Sequence, residues 1–131
     1  MNIKIDHIAL YCIDIEAMKS FFINHFECHS NDMYHNPRTG LKTYILTFPE
    51  GGTRLEIMSH PKVNEISSGL YKAGYIHLSI AVGSREHVVV EKTNELTVAG
   101  YECVSGPRVT GDGYFESYII GPEGIILEIT V

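Results

Sequence analysis

Pro49-Glu50-Gly51-Gly52-Thr53-Arg54-Leu55-Glu56-Ile57 in mid-chain and Pro122-Glu123-Gly124-Ile125-Ile126-Leu127-Glu128-Ile129 near the end are two copies of one phrase. Each reads Pro-Glu-Gly and then Leu-Glu-Ile; the first has one extra residue in its turn. The starts of the halves match as well. Asp6-His7-Ile8-Ala9-Leu10 lies against Ile76-His77-Leu78-Ser79-Ile80 at an offset of 70 residues, and the helix-start residues Asp14 and Ser84 keep that offset. Landmarks that agree at both ends of each half mark an internal duplication, where one short motif could be chance.

Both halves predict βαβββ. His7 to Ile13 alternates as a strand. Asp14 caps a helix to about Phe26, with Ile15, Met18, Phe21, Phe22 and Phe26 on one face. Strands are expected near 28–34, 41–48 and 53–59, the last two joined by the Pro-Glu-Gly-Gly turn. The second half predicts a strand at 75–82, then a helix at 85–99, capped by Ser84 and stopped by Gly100. Strands near 101–105, 113–120 and 125–131 complete it. The chain therefore reads as one domain, 1–131, of α+β class. Module one covers about 1–59, a linker 60–73, and module two about 74–131. The two tandem modules should form an open, cupped, antiparallel-rich sheet with the helices on its outer face.

Composition excludes several classes. Lys plus Arg is 10 against 16 Asp plus Glu, a net charge of −6 over 131 residues, so no basic field draws in nucleic acid. Apolar residues make up 44%, enough for a core. No apolar run approaches the roughly 20 residues of a membrane span, and no basic and apolar leader precedes Ile3. Cys12, Cys28 and Cys103 lack CxxC spacing and read as reduced thiols. A cytoplasmic protein without membrane partners is expected.

Strand alternation sorts the side chains by face. Ile8, Leu10 and Cys12 oppose His7, Ala9 and Tyr11. Leu55 and Ile57 oppose Arg54, Glu56 and Met58. Leu78, Ile80 and Val82 oppose His77, Ser79 and Ala81. Leu127, Ile129 and Val131 oppose Ile126, Glu128 and Thr130. The clean apolar face must pack under the helices. The other face carries one His or Glu per strand: His7, Glu56, His77 and Glu128. A lone polar residue on a solvated sheet face means little; the same residue type at the same repeat position in both halves means more. In a curled sheet the four would converge in a cup, where two carboxylates and two imidazoles repel and desolvate unless a divalent cation neutralises them. Nitrogen and oxygen donors without sulfur suit Zn, Ni, Co, Mn or Fe. A tetrahedron would be a closed structural site. An octahedron leaves two positions open, and a domain with a good core needs no structural metal, so the open form is expected.

The chain resembles the vicinal oxygen chelate superfamily, which includes glyoxalase I, extradiol dioxygenases, fosfomycin-resistance proteins and bleomycin-binding proteins. The resemblance rests on Asp6-His7-Ile8-Ala9, Arg54-Leu55-Glu56-Ile57, Tyr75-Ile76-His77-Leu78 and Pro122-Glu123-Gly124 with Glu128, and covers essentially the whole chain. It implies paired βαβββ modules around one divalent metal, with Zn, Ni or Co first in line. The order His, Glu, His, Glu is that of bacterial glyoxalase I; the dioxygenase and fosfomycin branches use counterparts of His7, His77 and Glu128 only. Glu56 thus points to a glyoxalase I-like lyase or isomerase, a detoxifying enzyme acting on a hemithioacetal or another vicinal-oxygen substrate. Such a metal chelates two substrate oxygens, acidifies the neighbouring C–H and stabilises the enediolate. A carboxylate, Glu128 or Glu56, moves the proton, and the resemblance favours Glu128. Glutathione or another thiol is the implied co-substrate. Alternatives are a ring-cleaving dioxygenase, a thiol transferase, or a non-enzymatic protein that sequesters a small molecule.

Other residues bear on the substrate. Tyr11 stands where glutathione-using relatives carry Arg, and His60 where they carry Asn. Arg54, on the face of Glu56 and Met58, should point into the cup. Lys42 and Arg108 read as surface or ion-pair residues. Tyr114, Glu116 and Tyr118 share a face, either as a pocket wall or as a solvated edge; if inside, Glu116 pairs with Arg54 or bonds a substrate. His25 reads as packing against Phe21 and Phe22. Residues 34–40 either close over a ligand or merely connect strands. A homodimer is expected, because an open sheet of this size leaves edges to cover.

Overall fold

The computed structural model describes residues 1–66 and 73–131. The chain divides into two compact units, Met1–Ile66 and Ser67–Val131. Their boundary falls inside the expected linker 60–73, of which 67–72 lie outside the described residues.

The first unit holds β1 (His7–Tyr11), α1 (Ile15–Phe26), β2 (His29–Ser30), β3 (Tyr34–His35), β4 (Lys42–Thr47) and β5 (Arg54–Ser59). Its sheet runs β1-β5-β4-β2, with β3 also on β4. The second holds β6 (Leu78–Ala81), α2 (Glu86–Val98), β7 (Glu102–Val109), β8 (Phe115–Ile120) and β9 (Ile126–Thr130), with strand order β6-β9-β8-β7. The class is α+β, with one mixed sheet per unit. In each, the strand before the helix pairs parallel with the last strand, β1 with β5 and β6 with β9, and the other pairings are antiparallel. The repeated turns match in detail. Gly51 N–H donates to Phe48 O at 2.9 Å, and Gly124 N–H to Gly121 O at 3.2 Å.

Both helices bury one face on their sheet. Ile15, Met18, Phe21, Phe22 and Phe26 of α1 are buried with Tyr44, Leu46, Leu55 and Ile57; Val89, Thr93 and Leu96 of α2 are buried with Ser117, Ile119, Leu127 and Ile129. Each fully buried large side chain contributes roughly 1.5–3 kcal/mol. Asp14 caps α1 as expected, its carboxylate accepting from Ala17 N–H at 3.0 Å. His25 rests on the Phe21 ring, 5.2 Å between centroids. Burial pushes the Cys28 thiol up to about 11, which leaves it unreactive. No helix among the described residues is long and apolar enough to cross a membrane.

Several expectations need correction. The strand at 28–34 is two short pieces, because Asn31 turns its own side chain onto β4: its Oδ1 accepts from Ile45 N–H at 2.7 Å. Ser84 does not cap α2. The cap position is Arg85, whose carbonyl accepts from Val88 N–H at 3.1 Å, so Ser84 lies one residue too early for its hydroxyl to serve. β7 runs past 105 to Val109 through register shifts that Gly106 permits. Its φ is +82°, and a Cβ there would lie 2.5 Å from Glu116 O. In the segment 34–40, β3 pairs with β4, Gly40 N–H donates to Asn36 O at 2.8 Å, and Gly40 lies close to Pro61. Ile8, assigned to the covered face, is 39% exposed at the start of an edge strand.

Candidate metal centre

Parallel pairing builds a His–Glu pair in each unit. In the first, His7 lies opposite Arg54 and Ala9 opposite Glu56. His7 and Ala9 share a face, so the imidazole and the Glu56 carboxylate meet diagonally over the small Ala9 side chain. His7 Nε2 stands 3.4 Å from Glu56 Oε2. In the second, Ser79 lies opposite Glu128, and His77 stands just ahead of β6. His77 Nε2 is 3.2 Å from Glu128 Oε2.

These separations test the donor set. Two donors bound about 2.0–2.2 Å from one ion stand roughly 2.9–3.5 Å apart at angles between a right angle and the tetrahedral one. Both pairs match that spacing, and imidazole with carboxylate is a fitting donor set for a divalent transition metal. Each unit supplies two such donors; among the described residues no three His, Cys, Asp or Glu side chains gather as a metal-holding group.

The supports of the two pairs differ. In the first unit, Asp6 accepts from His7 Nδ1 at 2.9 Å and from Arg54 at 2.5 Å. Hydrogen bonds from His7 and then Arg54 hold the Asp6 carboxyl below its ordinary range. In the second unit the carboxylate is the supported member. Ser79 Oγ donates to Glu128 Oε1 at 2.7 Å and Tyr118 Oη to Oε2 at 3.0 Å. Burial disfavours the charged Glu128, but the bonds from Ser79, Tyr118 and Glu116 with the His77 charge outweigh it, and its pKa falls below the ordinary value. Burial first, and then the bond to Glu128 and that carboxylate's charge, push Glu116 up. Burial and the bond to Glu128 also raise Tyr118. The Tyr118 ring lies 5.4 Å from that of His77.

Arg54 is engaged by Asp6, and Glu116 is buried on β8 beside Glu128. Tyr118, read from sequence as a pocket wall or a solvated edge, is a direct partner of Glu128. Tyr11, on the His7 face, is 54% exposed opposite Met58. His60 Nδ1 accepts from Lys62 N–H at 3.0 Å, just beyond β5. Tyr114 stands just ahead of β8, and its backbone closes the loop onto Thr110. Arg108 lies opposite Glu116 in register. Sequence reasoning missed two supports: Asp6, quoted only as part of a motif, and Ser79. Their signal was position, Asp6 directly before a ligand-type His and Ser79 two residues after one.

Tandem βαβββ units, each with a His–Glu pair across its parallel strands, define the class. A family model for the Glyoxalase/Bleomycin resistance protein/Dioxygenase superfamily matches residues 4–129, and the chain belongs to that superfamily. No curated protein matches the sequence. Among solved structures, a glyoxalase family protein from Enterococcus faecalis is 23% identical with a TM-score of 0.76, covering 98% of this chain and 97% of that one. A variant of the fosfomycin resistance protein FosX from Listeria monocytogenes, complexed with Mn(II) and dihydroxypropylphosphonic acid, is 19% identical with a TM-score of 0.75, covering 99% and 93%. A variant of glyoxalase I from Zea mays is 16% identical with a TM-score of 0.77, covering 97% of this chain and 44% of that one. At these identities the likeness is one of fold.

Proposed function

We propose that the protein is a metal-dependent enzyme of the vicinal oxygen chelate type, a glyoxalase I-like lyase or isomerase acting on a small hemithioacetal or a related vicinal-oxygen substrate. His7, Glu56, His77 and Glu128 are its ligand set for one divalent ion, Zn, Ni or Co. The carrying observation is the recurrence in both repeats of a His–Glu pair at ligand spacing, 3.4 and 3.2 Å. Superfamily membership and the Mn(II) complex of FosX support the metal reading; Glu56 as a fourth donor favours the glyoxalase branch over the dioxygenase one.

The bound ion would polarise a substrate carbonyl and acidify the adjacent C–H. The chain's own part is to move the proton. Glu128 accepts it and returns it to the neighbouring carbon, with Glu56 as the other candidate. Ser79 and Tyr118 orient the carboxylate and keep it ionised at neutral pH, the state a base needs. A homodimer, a small-molecule substrate and a thiol co-substrate belong to the same reading.

Metal analysis of purified protein tests it first. About one tightly bound ion per chain is expected, lost with His7→Ala or His77→Ala. Turnover of methylglyoxal with glutathione, with a second thiol and with neither then assigns the chemistry. Protein that binds no divalent metal in any preparation would sink the proposal.

A further inference from the structure

We infer that Asp6 and Arg54 form a positioning device for His7: Asp6 fixes the proton of the imidazole on Nδ1 and aims Nε2 at the ion, and Arg54 pins Asp6. The inference rests on the proposed metal site but concerns residues outside its ligand set.

An ionised carboxylate accepts hydrogen bonds and cannot donate them. Arg54 can only donate, and its guanidinium meets the same Asp6 oxygen, Oδ2, that lies 2.9 Å from His7 Nδ1, so that oxygen is the acceptor of both contacts and the hydrogen sits on His7 Nδ1. Nε2 is then the lone-pair nitrogen, and it is the atom 3.4 Å from Glu56. A ligand His whose other ring N–H meets a carboxylate is both oriented and made more basic. An exposed Asp side chain would ordinarily sample several rotamers, but Asp6 is tied at its outer side by the guanidinium of Arg54.

The strand register makes this coupling local. Arg54 is the residue directly opposite His7, and its backbone N–H donates to Asp6 O at 3.2 Å, so all three residues are locked by one ladder position. Asp6 and Arg54 also line an open cleft of about 630 Å³ with Lys4, Ile5, Gly52 and Thr53. The second repeat offers an internal comparison. Ile76 stands in the place of Asp6, Ile126 in that of Arg54, and His77 has no carboxylate at Nδ1 among the described residues. The device therefore belongs to this chain's first repeat and is not a by-product of the duplicated architecture. It also reassigns Arg54 from substrate contact to support of the ligand.

The test uses the full chain, ¹⁵N-labelled and metal-free at slightly alkaline pH. Long-range ¹H–¹⁵N spectra report which ring nitrogen of each neutral histidine carries the proton, and His7→Gln assigns the signal. The expected result is a proton on Nδ1 of His7, redistributed toward Nε2 in Asp6→Ala and retained in Asp6→Asn, which still offers an acceptor. Zn²⁺ affinity, measured by chelator competition, should weaken about 10–100-fold in Asp6→Ala and less in Asp6→Asn and Arg54→Gln. A proton on Nε2 in the parent protein would overturn the inference. So would an Asp6→Ala variant with unchanged tautomer and unchanged Zn²⁺ affinity. If the parent binds no Zn²⁺ while the Asp6-dependent tautomer is present, the metal reading fails and the positioning role stands.

Discussion

Replacing Tyr118 with Phe removes one oxygen from the support of Glu128 and nothing else of size. That oxygen donates to Glu128 Oε2 at 3.0 Å, on a carboxylate side chain only 14% exposed. A hydrogen bond to a charged acceptor contributes roughly 1.5–3 kcal/mol net. Oε2 keeps His77 at 3.2 Å, so the carboxylate is not orphaned. We therefore expect the low end, a loss of about 1–2 kcal/mol in the metal-free protein at neutral pH. With a urea slope of about 2 kcal/mol/M, the middle of the usual range, the unfolding midpoint should fall by roughly 0.5–1 M. The pH dependence supplies a second check. The folded pKa of Glu128 lies below its unfolded value. Its contribution is therefore present above the unfolded carboxylate value and lost as pH falls through the folded one. The gap between parent and variant should narrow on going from about pH 7 to about pH 3, as the acceptor becomes neutral. A gap under about 0.5 kcal/mol at neutral pH, the range of an ordinary surface change, would refute the argument. A gap that does not vary with pH would show that the carboxylate's charge is not what Tyr118 supports.

Further outcomes follow from the same geometry. Glu116→Gln keeps a donor for Glu128 but cannot ionise. Because the folded pKa of Glu116 is raised, its contribution is present below its unfolded value and lost as pH rises, so the variant should gain on the parent between about pH 4 and pH 7 in urea titrations. Glu128→Gln should keep the far-UV circular dichroism of the parent and lose turnover by several orders of magnitude; near-normal turnover would pass the base role to Glu56. Thr93→Val removes the hydroxyl that meets Ser117 Oγ and Val89 O, each at 2.7 Å, and should cost about 1–3 kcal/mol by denaturant unfolding although the side chains are isosteric. Tyr11 and His60 take the place of polar groups suited to an anionic thiol, so steady-state kinetics should show weak turnover of the glutathione adduct; efficient turnover, in the range of about 10⁴–10⁸ M⁻¹s⁻¹, would remove that argument.

The duplication was legible because its markers are local. A Pro-Glu-Gly turn and a Leu-Glu-Ile strand keep their identity without tertiary context, and period-two alternation already put His7 with Ala9 and Glu56 with Arg54. The helices were legible from the buried faces, Phe21, Phe22 and Phe26 above all. What escaped was decided by single side chains competing with the backbone. Asn31 interrupts a strand by bonding Ile45 through its amide, and no periodicity announces that. Gly106 allows β7 to continue because Glu116 O approaches it closely, a contact fixed only once β7 and β8 have paired. At the site, the four ligand-type residues stood out by recurrence, whereas Asp6 and Ser79 differ between the repeats and so left no repeated signal.

That difference is the more informative feature of the chain. Duplication alone would deliver two equivalent His–Glu pairs, and in backbone register it does: Glu56 sits opposite Ala9 as Glu128 sits opposite Ser79, and Ile45 flanks Glu56 as Tyr118 flanks Glu128. The side chains break the equivalence in opposite senses. In the first repeat Ala9 and Ile45 give the carboxylate no hydrogen bond, while Asp6 holds the imidazole. In the second, Ser79 and Tyr118 hold the carboxylate, while Ile76 in the place of Asp6 leaves the imidazole Nδ1 without a carboxylate among the described residues. Restraining a side chain beforehand lowers the entropy lost when it binds, and leaving one unrestrained preserves its freedom to move. Each repeat thus has one fixed donor and one freer one, the imidazole fixed in the first and the carboxylate in the second. Two carboxylates that are alike in sequence motif are for this reason unlike in chemistry: Glu128 is stabilised as an anion by the hydroxyls of Ser79 and Tyr118, and Glu56 has, among the described residues, the His7 contact at 3.4 Å.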